Sequence, residues 1–339
     1  MKRTPGKARG LARIGDGDGR IAAVATDQRP PLFNLVADKL DMSIKDTGPR
    51  ASEIKGLLAE TLAHHATGLL VDPYYGFCRA MPHLPPETGL MMTLEHHVFA
   101  TDTNGFRKSD WIPDWSAEQA VRYGADGLKL LAWYRSDAPQ AVLDHQHRFV
   151  ERVGAACRQV DRPFVYEVLP YQLASESDEA YVEALPELMR RCMLDFSDER
   201  YGVDLYKLGF PARAKAVEEW GGSHYPLADM EAIMRETTER LPAPWVLLSG
   251  GLDSETFIQA FRSAVDCGAR GYLAGRAVWA EAMDAYPDLE ACRGRLQAQS
   301  VEVLDQLNQT LESLPAQTVD IDCDLEDNAR VEVRPESDY

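Results

Sequence analysis

The chain has 339 residues, of which 45% are hydrophobic, and its formal net charge is −18. So acidic a chain lacks the basic surface that nucleic-acid binding requires, and no stretch approaches the roughly 18 consecutive apolar residues of a membrane-spanning helix. The six cysteines are scattered, without a CxxC pair or zinc-ligand spacing. We therefore expect a cytoplasmic protein with reduced thiols that binds neither nucleic acid nor membrane.

The two ends of the chain differ in charge from the rest. The N-terminal segment "MKRTPGKARG" is basic, and because no apolar stretch follows it we expect no secretory signal. Residues 1–13 are predicted to form a short disordered arm. Eight acidic and only two basic residues lie within 317–339, so residues 315–339 are predicted to be an appended acidic tail. The folded domain is expected at residues 14–314.

Eight short apolar runs alternate with amphipathic stretches along the chain. Helical periodicity and cap signals predict helices between the runs, such as one that Asp253 and Ser254 open and Gly268 closes. The second and third runs leave room only for a short irregular connection. The predicted strands are residues 20–28, 68–76, 89–95, 127–134, 164–171, 203–211, 245–251 and 271–279.

This alternation of strands and helices predicts a parallel sheet covered by helices. Eight strands are the number that closes such a sheet, so the first choice is an α/β fold, a single (β/α)8 TIM barrel. A doubly wound open sheet is the alternative, but the glycine fingerprint that usually follows its first strand is missing after residue 28. The length by itself suggests two domains. However, α/β barrels are often longer than a typical domain and still form one domain.

Polar side chains gather where the predicted strands end, which in a barrel is the edge that carries the active site. Any one of them, taken singly, is more often part of an interior salt bridge. Two lysines and several carboxylates at the same edge favour a catalytic site. The candidate residues are Asp27, Gln28, Asp72, Glu95, Lys129, Glu167, Lys207, Ser249, Gly250, Gly251, Gly275 and Arg276.

The segment "GVDLYKLGFP" (202–211) places a lysine in the middle of an apolar strand. By strand alternation, Lys207 shares one face with Leu205 and Gly209. Burial and a second cation nearby, here Lys129, both favour the neutral form of an amine. Because a neutral amine attacks a carbonyl carbon to form a Schiff base, Lys207 is predicted to be a nucleophile.

Two glycine-containing turns predict a phosphate site. The sequences "SGG" (249–251) and "GR" (275–276) follow the seventh and eighth predicted strands. At this place in a barrel, backbone N–H groups and helix N-termini bind phosphate, and Arg276 can add a charge-assisted contact. Together the two turns favour a phosphorylated substrate.

The histidines give no metal-binding pattern. Four of the eight occur as two adjacent pairs, His64-His65 and His96-His97, and neighbouring histidines on a helix or strand point apart and chelate poorly. We therefore predict a reaction that uses no metal and no other cofactor, with His96 or His97 as candidates for lining the pocket.

With these features the sequence resembles the class I, Schiff-base aldolases of the tagatose 1,6-bisphosphate aldolase family, which includes the sulfofructosephosphate aldolases. The resemblance covers roughly residues 11–305. It is carried by "ATDQR" (25–29), "LLVDPYYG" (69–76), "DWSAEQAVRYGADGLKLL" (114–131), "YEVLPY" (166–171), "DLYKLGFP" (204–211), "PWVLLSGGLDSETF" (244–257) and "LAGRAVWA" (273–280).

The resemblance implies a barrel fold with metal-free Schiff-base chemistry. The family's Schiff-base lysine lies in a D-x-x-K-x-x-x-P strand, which places this role on Lys207. The lysine of the fourth strand corresponds to Lys129, and the glutamate of the fifth strand corresponds to Glu167. The substrate-binding positions correspond to Asp27 and Gln28, and the phosphate-binding positions to Ser249, Gly250, Gly251, Gly275 and Arg276.

The implied reaction is retro-aldol cleavage of a phosphorylated ketose to dihydroxyacetone phosphate and a three-carbon aldehyde. The chain departs from the family at Gly209, where relatives carry a carboxylate. The sugar is therefore left open between tagatose 1,6-bisphosphate and 6-sulfofructose 1-phosphate. A distal anionic group on the substrate has Arg135 or His224 as candidate partners.

Two other functions fit the same barrel. A sugar-phosphate isomerase or epimerase would share the phosphate site without needing a covalent lysine, and a sugar-phosphate sensor would bind without turnover. The aldolase is favoured because the complete residue set is present. We expect the protein to be a homo-oligomer.

Overall fold

Eight parallel strands close into a barrel in the computed structural model, which describes residues 3–317. Each strand pairs with the next along the chain, and the ring closes where Ile21 of the first strand pairs with Gly271 of the last. The strands are β1 (Ile21–Ala25), β2 (Gly68–Val71), β3 (Gly89–Thr93), β4 (Gly127–Trp133), β5 (Phe164–Leu169), β6 (Leu205–Leu208), β7 (Trp245–Leu247) and β8 (Gly271–Ala274). The predicted TIM barrel is confirmed, and the open-sheet alternative is excluded.

Each of the eight barrel strands lies within a predicted strand but ends earlier. The chain leaves the sheet there to build the loops at the barrel mouth. Helices cover the outside of the ring. They are α1 (Pro5–Ile14), α2 (Pro30–Leu40), α3 (Gly48–Leu62), α4 (Phe77–Ala80), α5 (Ala117–Arg122), α6 (Gln140–Gln159), α7 (Asp178–Leu194), α8 (Leu227–Arg240), α9 (Ser254–Asp266), α10 (Arg276–Trp279), α11 (Leu289–Arg295) and α12 (Val301–Glu312).

Residues 5–13 of the N-terminal arm are helical, so the prediction of a disordered segment is wrong for them. Helix α1 crosses the N-terminal end of the barrel, where Leu11 and Ile14 join the apolar side chains inside the ring. The Nζ atom of Lys7 lies 2.6 Å from Asp204 Oδ2, and both side chains are buried. Burial of each apolar side chain contributes about 1.5–3 kcal/mol, so α1 belongs to the folded barrel.

The barrel interior is divided into an apolar floor and a polar mouth. The floor is a cluster of buried side chains from the strands, which include Leu70, Met91, Val165, Leu205 and Val246. Along each strand the next inward-facing residue lies two positions nearer the C-terminal end. Its side chain therefore points into the mouth. Leu205 lies in the floor and Lys207 lies above it, as the alternation predicts.

A two-stranded antiparallel hairpin, Ala100–Thr101 with Arg107–Lys108, was not predicted from the sequence. It lies in the loop between β3 and α5. The short connection predicted between the second and third strands is present as α4 and one further helical turn. Most of the predicted acidic tail, residues 318–339, lies outside the described residues.

Within residues 3–317, no helix is long and apolar enough to cross a membrane. The five described cysteines are free, and all but Cys78 are buried.

Asp72 follows β2 but does not face the barrel mouth, so its predicted role in substrate binding is not supported. Its carboxylate is fully buried and forms an ion pair with Lys55 of α3, which also donates to the carbonyl oxygen of Thr26 at 2.7 Å. The other carboxylate oxygen accepts the backbone N–H groups of Tyr74 and Tyr75. Asp72 therefore ties the β2 loop to a helix beneath it.

We expect Lys55→Met to lower the free energy of unfolding by about 3–5 kcal/mol, because it leaves the buried Asp72 carboxylate unpaired. Chemical denaturation followed by circular dichroism measures this change. Arg50→Met on the same helix is the matched control, since Arg50 is exposed and, among residues 3–317, pairs only with Glu53. Equal effects of the two substitutions would show that the Lys55–Asp72 pair is not important for stability.

Candidate active site

A cavity of about 950 Å³ opens at the C-terminal ends of the barrel strands. It is the place that the strand-end pattern predicted, and every candidate residue except Asp72 lines it. The residues brought together are Asp27, Gln28, Glu95, Lys129, Glu167, Lys207, Ser249, Gly250, Gly251, Gly275 and Arg276.

Two buried lysines share one carboxylate oxygen at the floor of this cavity. Glu167 Oε2 lies 2.8 Å from the Nζ atom of Lys207 and 3.0 Å from that of Lys129. The geometry follows from the sheet, because Glu167 on β5 is in register with Lys207 on β6, and Lys129 lies on the neighbouring strand β4. Lys207 is 4% exposed and Lys129 is 1% exposed.

The two lysines differ in how firmly their charge is held. Lys129 Nζ also lies 2.8 Å from Asp27 Oδ2 and 3.0 Å from Glu95 Oε1, so three carboxylates surround it. Burial lowers the pKa of Lys129, but the carboxylates outweigh burial and raise the pKa above its ordinary value. Within the described residues, Lys207 has Glu167 as its one carboxylate partner. Three carboxylates therefore hold Lys129 as an ammonium, whereas Lys207 contacts only one carboxylate among the described residues.

The carboxylates of Asp27 and Glu167 are held ionised. Burial by itself raises the pKa of Asp27 and of Glu167, but Lys129 and Lys207 outweigh burial and lower both pKa values. Arg29 further lowers the pKa of Asp27. An ionised Glu167 between two lysines can accept a proton from a substrate hydroxyl and return it.

Glu95 positions Lys129, a role that its place at a strand end did not specify. Its Oε1 atom lies 2.8 Å from Arg29 Nη2, and its Oε2 atom accepts the backbone N–H of Leu131 at 2.9 Å. The contribution of Arg29 was not predicted, although it ends the "ATDQR" segment. Its partner Glu95 follows β3, whereas Arg29 follows β1. The two residues meet only when the barrel folds.

His96 and His97 both line the cavity, with ring centroids 4.9 Å apart. Burial, and then the nearby Arg29, lowers the pKa of His97 to about 4, so its ring is neutral at physiological pH. Within residues 3–317, no group of three potential ligand side chains is close enough to hold a metal ion.

The loops after β7 and β8 form an open cradle. Gly250 and Gly251 both have positive φ angles, 55° and 87°, which favour glycine and turn the loop back on itself. The guanidinium of Arg276 leans over Gly251, since a Cβ atom added there would lie 3.4 Å from Arg276 Nη2. A side chain at Gly275 would overlap the amide of Gln28.

Gln28 presents a free acceptor to the cavity. Its Oε1 atom is buried and has no hydrogen-bond partner among the described protein residues. A buried polar atom without a partner is costly, and a substrate hydroxyl would satisfy it. The orientation of the amide fits a role in substrate binding.

The space beside Lys207 at Gly209 is filled by neighbouring side chains. A Cβ atom added at Gly209 would lie 3.0 Å from Met189 Cε of α7 and 3.6 Å from Leu169 Cδ2. The wall next to the lysine is therefore apolar. Sequence alternation located the gap but could not name the residue from α7 that closes it.

Arg135 is not free to receive a substrate anion, so that prediction is wrong. Its guanidinium is buried and forms ion pairs with Asp137 at 2.8 Å and Glu176 at 2.6 Å. It also donates to the carbonyl oxygen of Tyr171. His224 is not among the residues that line the cavity.

The comparisons with known proteins agree with this geometry. Residues 21–281 match the family described as DeoC/LacD family aldolase. Tagatose 1,6-diphosphate aldolase 1 of Streptococcus mutans is 32% identical over 321 residues, which cover 92% of this chain and 98% of the relative. Tagatose 1,6-diphosphate aldolase of Lactococcus lactis is 31% identical over 319 residues, which cover 92% and 97%.

Solved aldolase structures share the fold at low sequence identity. Fructose-bisphosphate aldolase from Plasmodium falciparum superposes with a TM-score of 0.63 at 14% identity, covering 91% of this chain and 95% of that one. An archaeal fructose-1,6-bisphosphate aldolase with its catalytic lysine bound to a carbinolamine intermediate has a TM-score of 0.55 at 14% identity, covering 90% and 98%. The chain therefore belongs to the DeoC/LacD aldolase family and is a class I retro-aldol lyase.

Proposed function

We propose that Lys207 is the Schiff-base nucleophile of a lyase that cleaves a six-carbon ketose 1-phosphate. One observation carries this proposal: Glu167 Oε2 contacts Lys207 and Lys129 at once, 2.8 Å and 3.0 Å from their Nζ atoms. A reactive amine, a fixed cation and a proton acceptor are thereby held within hydrogen-bonding distance. An isomerase or a sensor on this barrel would have no use for a nucleophilic lysine.

The reaction begins when the amine of Lys207 attacks the C2 ketone. The carbinolamine loses water to give an iminium, with Glu167 moving the protons. Glu167 then accepts the proton of the C4 hydroxyl, and the electrons of the C3–C4 bond flow into the iminium. The aldehyde leaves, the resulting enamine is protonated at C3, and hydrolysis releases dihydroxyacetone phosphate and free Lys207.

The substrate is held at both the hydroxyl groups and the phosphate in this proposal. Asp27 and Gln28 hydrogen-bond the hydroxyls, while Ser249 and the glycine loops with Arg276 hold the phosphate that stays with the dihydroxyacetone fragment. The relatives named as tagatose 1,6-diphosphate aldolases support tagatose 1,6-bisphosphate as one substrate. Because the wall at Gly209 is apolar, we retain 6-sulfofructose 1-phosphate as the second candidate substrate.

We further propose that the enzyme acts in the cytoplasm, which the five free cysteines support because thiols persist in a reducing compartment. The homo-oligomeric state stays a prediction.

Borohydride reduction in the presence of dihydroxyacetone phosphate should add a stable mass to Lys207, located by peptide mass spectrometry. Lys207→Ala should abolish the adduct. Lys129→Ala should slow trapping and move it to higher pH, because loss of a neighbouring positive charge favours the protonated form of the nucleophile. Lys215→Ala, which removes an exposed lysine at the cavity rim, is the control and should trap normally. An adduct on Lys129 in the wild-type protein would refute the assignment.

Arg276→Ala should reduce kcat/KM for a ketose 1-phosphate. The loss should correspond to about 1.5–3 kcal/mol of transition-state stabilisation, the range for hydrogen bonds to charged groups. With the unphosphorylated ketose the loss should nearly vanish. Arg262→Ala, an exposed arginine of α9 away from the cavity, is the control and should leave both rates unchanged. The same loss with both substrates would mean that Arg276 supports the loop rather than the phosphate.

Turnover should survive prolonged treatment with EDTA, because the iminium of Lys207 is itself the electron sink that a metal would otherwise supply. Activity is compared before and after removal of the chelator, and metal content is measured in parallel. Loss of turnover in EDTA that zinc restores would exclude a lysine-only mechanism and direct attention to His96 and His97.

A further inference from the structure

Arg107 faces the cavity from an aromatic cage, and the mechanism above does not use it. The guanidinium carbon of Arg107 lies 4.5 Å from the ring centroid of Phe99, 4.4 Å from that of Trp133 and 4.5 Å from that of Tyr171. All four residues line the cavity. Cation–π contacts at these distances hold a guanidinium in place without neutralising its charge.

Arg107 has no carboxylate partner within the described residues. Its side chain forms neither a salt bridge nor a hydrogen bond there, whereas Arg29 pairs with Glu95 and Arg135 pairs with two carboxylates. Burial lowers the pKa of Arg107, which shows that part of its hydration has been removed without a replacement. A half-buried cation of this kind has its donors free for an anion that enters the cavity.

The cage is built rigidly onto the barrel. The backbone N–H of Arg107 donates to the hydroxyl of Tyr171 at 2.7 Å. Two residues on, the backbone N–H of Ser109 donates to Gln146 Oε1 at 2.9 Å, and Ser109 Oγ accepts the backbone N–H of Trp133 at 3.1 Å. The hairpin that carries Arg107 is therefore fastened to the ends of β4 and β5, and the guanidinium needs little ordering before it binds a ligand.

The topology places the cage across the mouth from the phosphate cradle. Phe99 follows β3, Trp133 ends β4 and Tyr171 follows β5, whereas the cradle follows β7 and β8. In a closed ring of eight strands, β7 and β8 lie opposite β3 and β4. Lys207 stands on β6, between the strands that carry the two sites, so a substrate lying across the mouth passes over it with one end at each site.

We infer that Arg107 binds the distal anionic group of the ketose, on the half of the sugar that leaves as the aldehyde. This rests on the proposed function, which fixes the 1-phosphate in the opposite cradle. The ligand chemistry is an oxo-acid anion, phosphate or sulfonate, with two oxygens for the planar guanidinium. The same cavity is also lined by the apolar side chains of Leu169, Leu185 and Met189.

The test compares Arg107→Met with the wild-type protein on three substrates: tagatose 1,6-bisphosphate, 6-sulfofructose 1-phosphate and tagatose 1-phosphate. We expect at least a tenfold loss of kcat/KM on whichever distally charged ketose the wild type prefers. On tagatose 1-phosphate, which has no distal anion, the change should stay below twofold. The substrate that suffers the larger loss identifies phosphate or sulfonate as the natural group.

Arg107→Lys keeps the charge and should recover part of the loss, and Arg152→Met, an exposed arginine of α6, should have no effect. Equal losses on all three substrates would overturn the inference and give Arg107 a structural role, as would no loss on any. Borohydride trapping with dihydroxyacetone phosphate separates the two proposals, because that ligand does not reach the cage. Trapping that fails in the wild type refutes the Schiff-base assignment, whereas normal trapping in Arg107→Met with unselective kinetics refutes only the distal site.

Discussion

One carboxylate oxygen that is shared by two ammonium groups controls the charge balance of the barrel mouth. Charges buried at this depth cost several kcal/mol each unless they are paired, and the cluster at the floor of the mouth pairs each of its own charges. Three carboxylates face three cations with no formal charge left over. The six residues are Asp27, Glu95, Glu167, Arg29, Lys129 and Lys207.

In the mechanism that we propose, this balance explains how the same site tolerates both the free lysine and the covalent intermediate. When Lys207 gives up its proton to become a nucleophile, the cluster gains one excess negative charge. Formation of the protonated iminium restores the balance, so the site favours the intermediate over the neutral amine. Lys129 and Lys207 share the same oxygen of Glu167, so the positive charge of Lys129 stands beside the proposed nucleophile.

The parts of this arrangement that the sequence predicted are those encoded within single strands. Alternation put Lys207 above Leu205 on the inward face, and the strand ends supplied the candidates for the mouth. Asp72 ends its strand in the same way, yet it pairs with Lys55 from α3 and turns away from the cavity. Helix α1 was missed for a related reason, since the apolar partners of Leu11 lie inside a ring that local sequence does not reveal.

Met189 and Arg107, which no local pattern predicted, both line the cavity. Met189 reaches Gly209 from α7, and Arg107 comes from a hairpin of two residues per strand, too short to leave a periodic signal. The covalent chemistry is carried by strands that the barrel fixes in register. In the proposed site, side chains from loops and helices around these strands select among sugars. The class of reaction can therefore be inferred from the sequence more readily than the identity of the substrate.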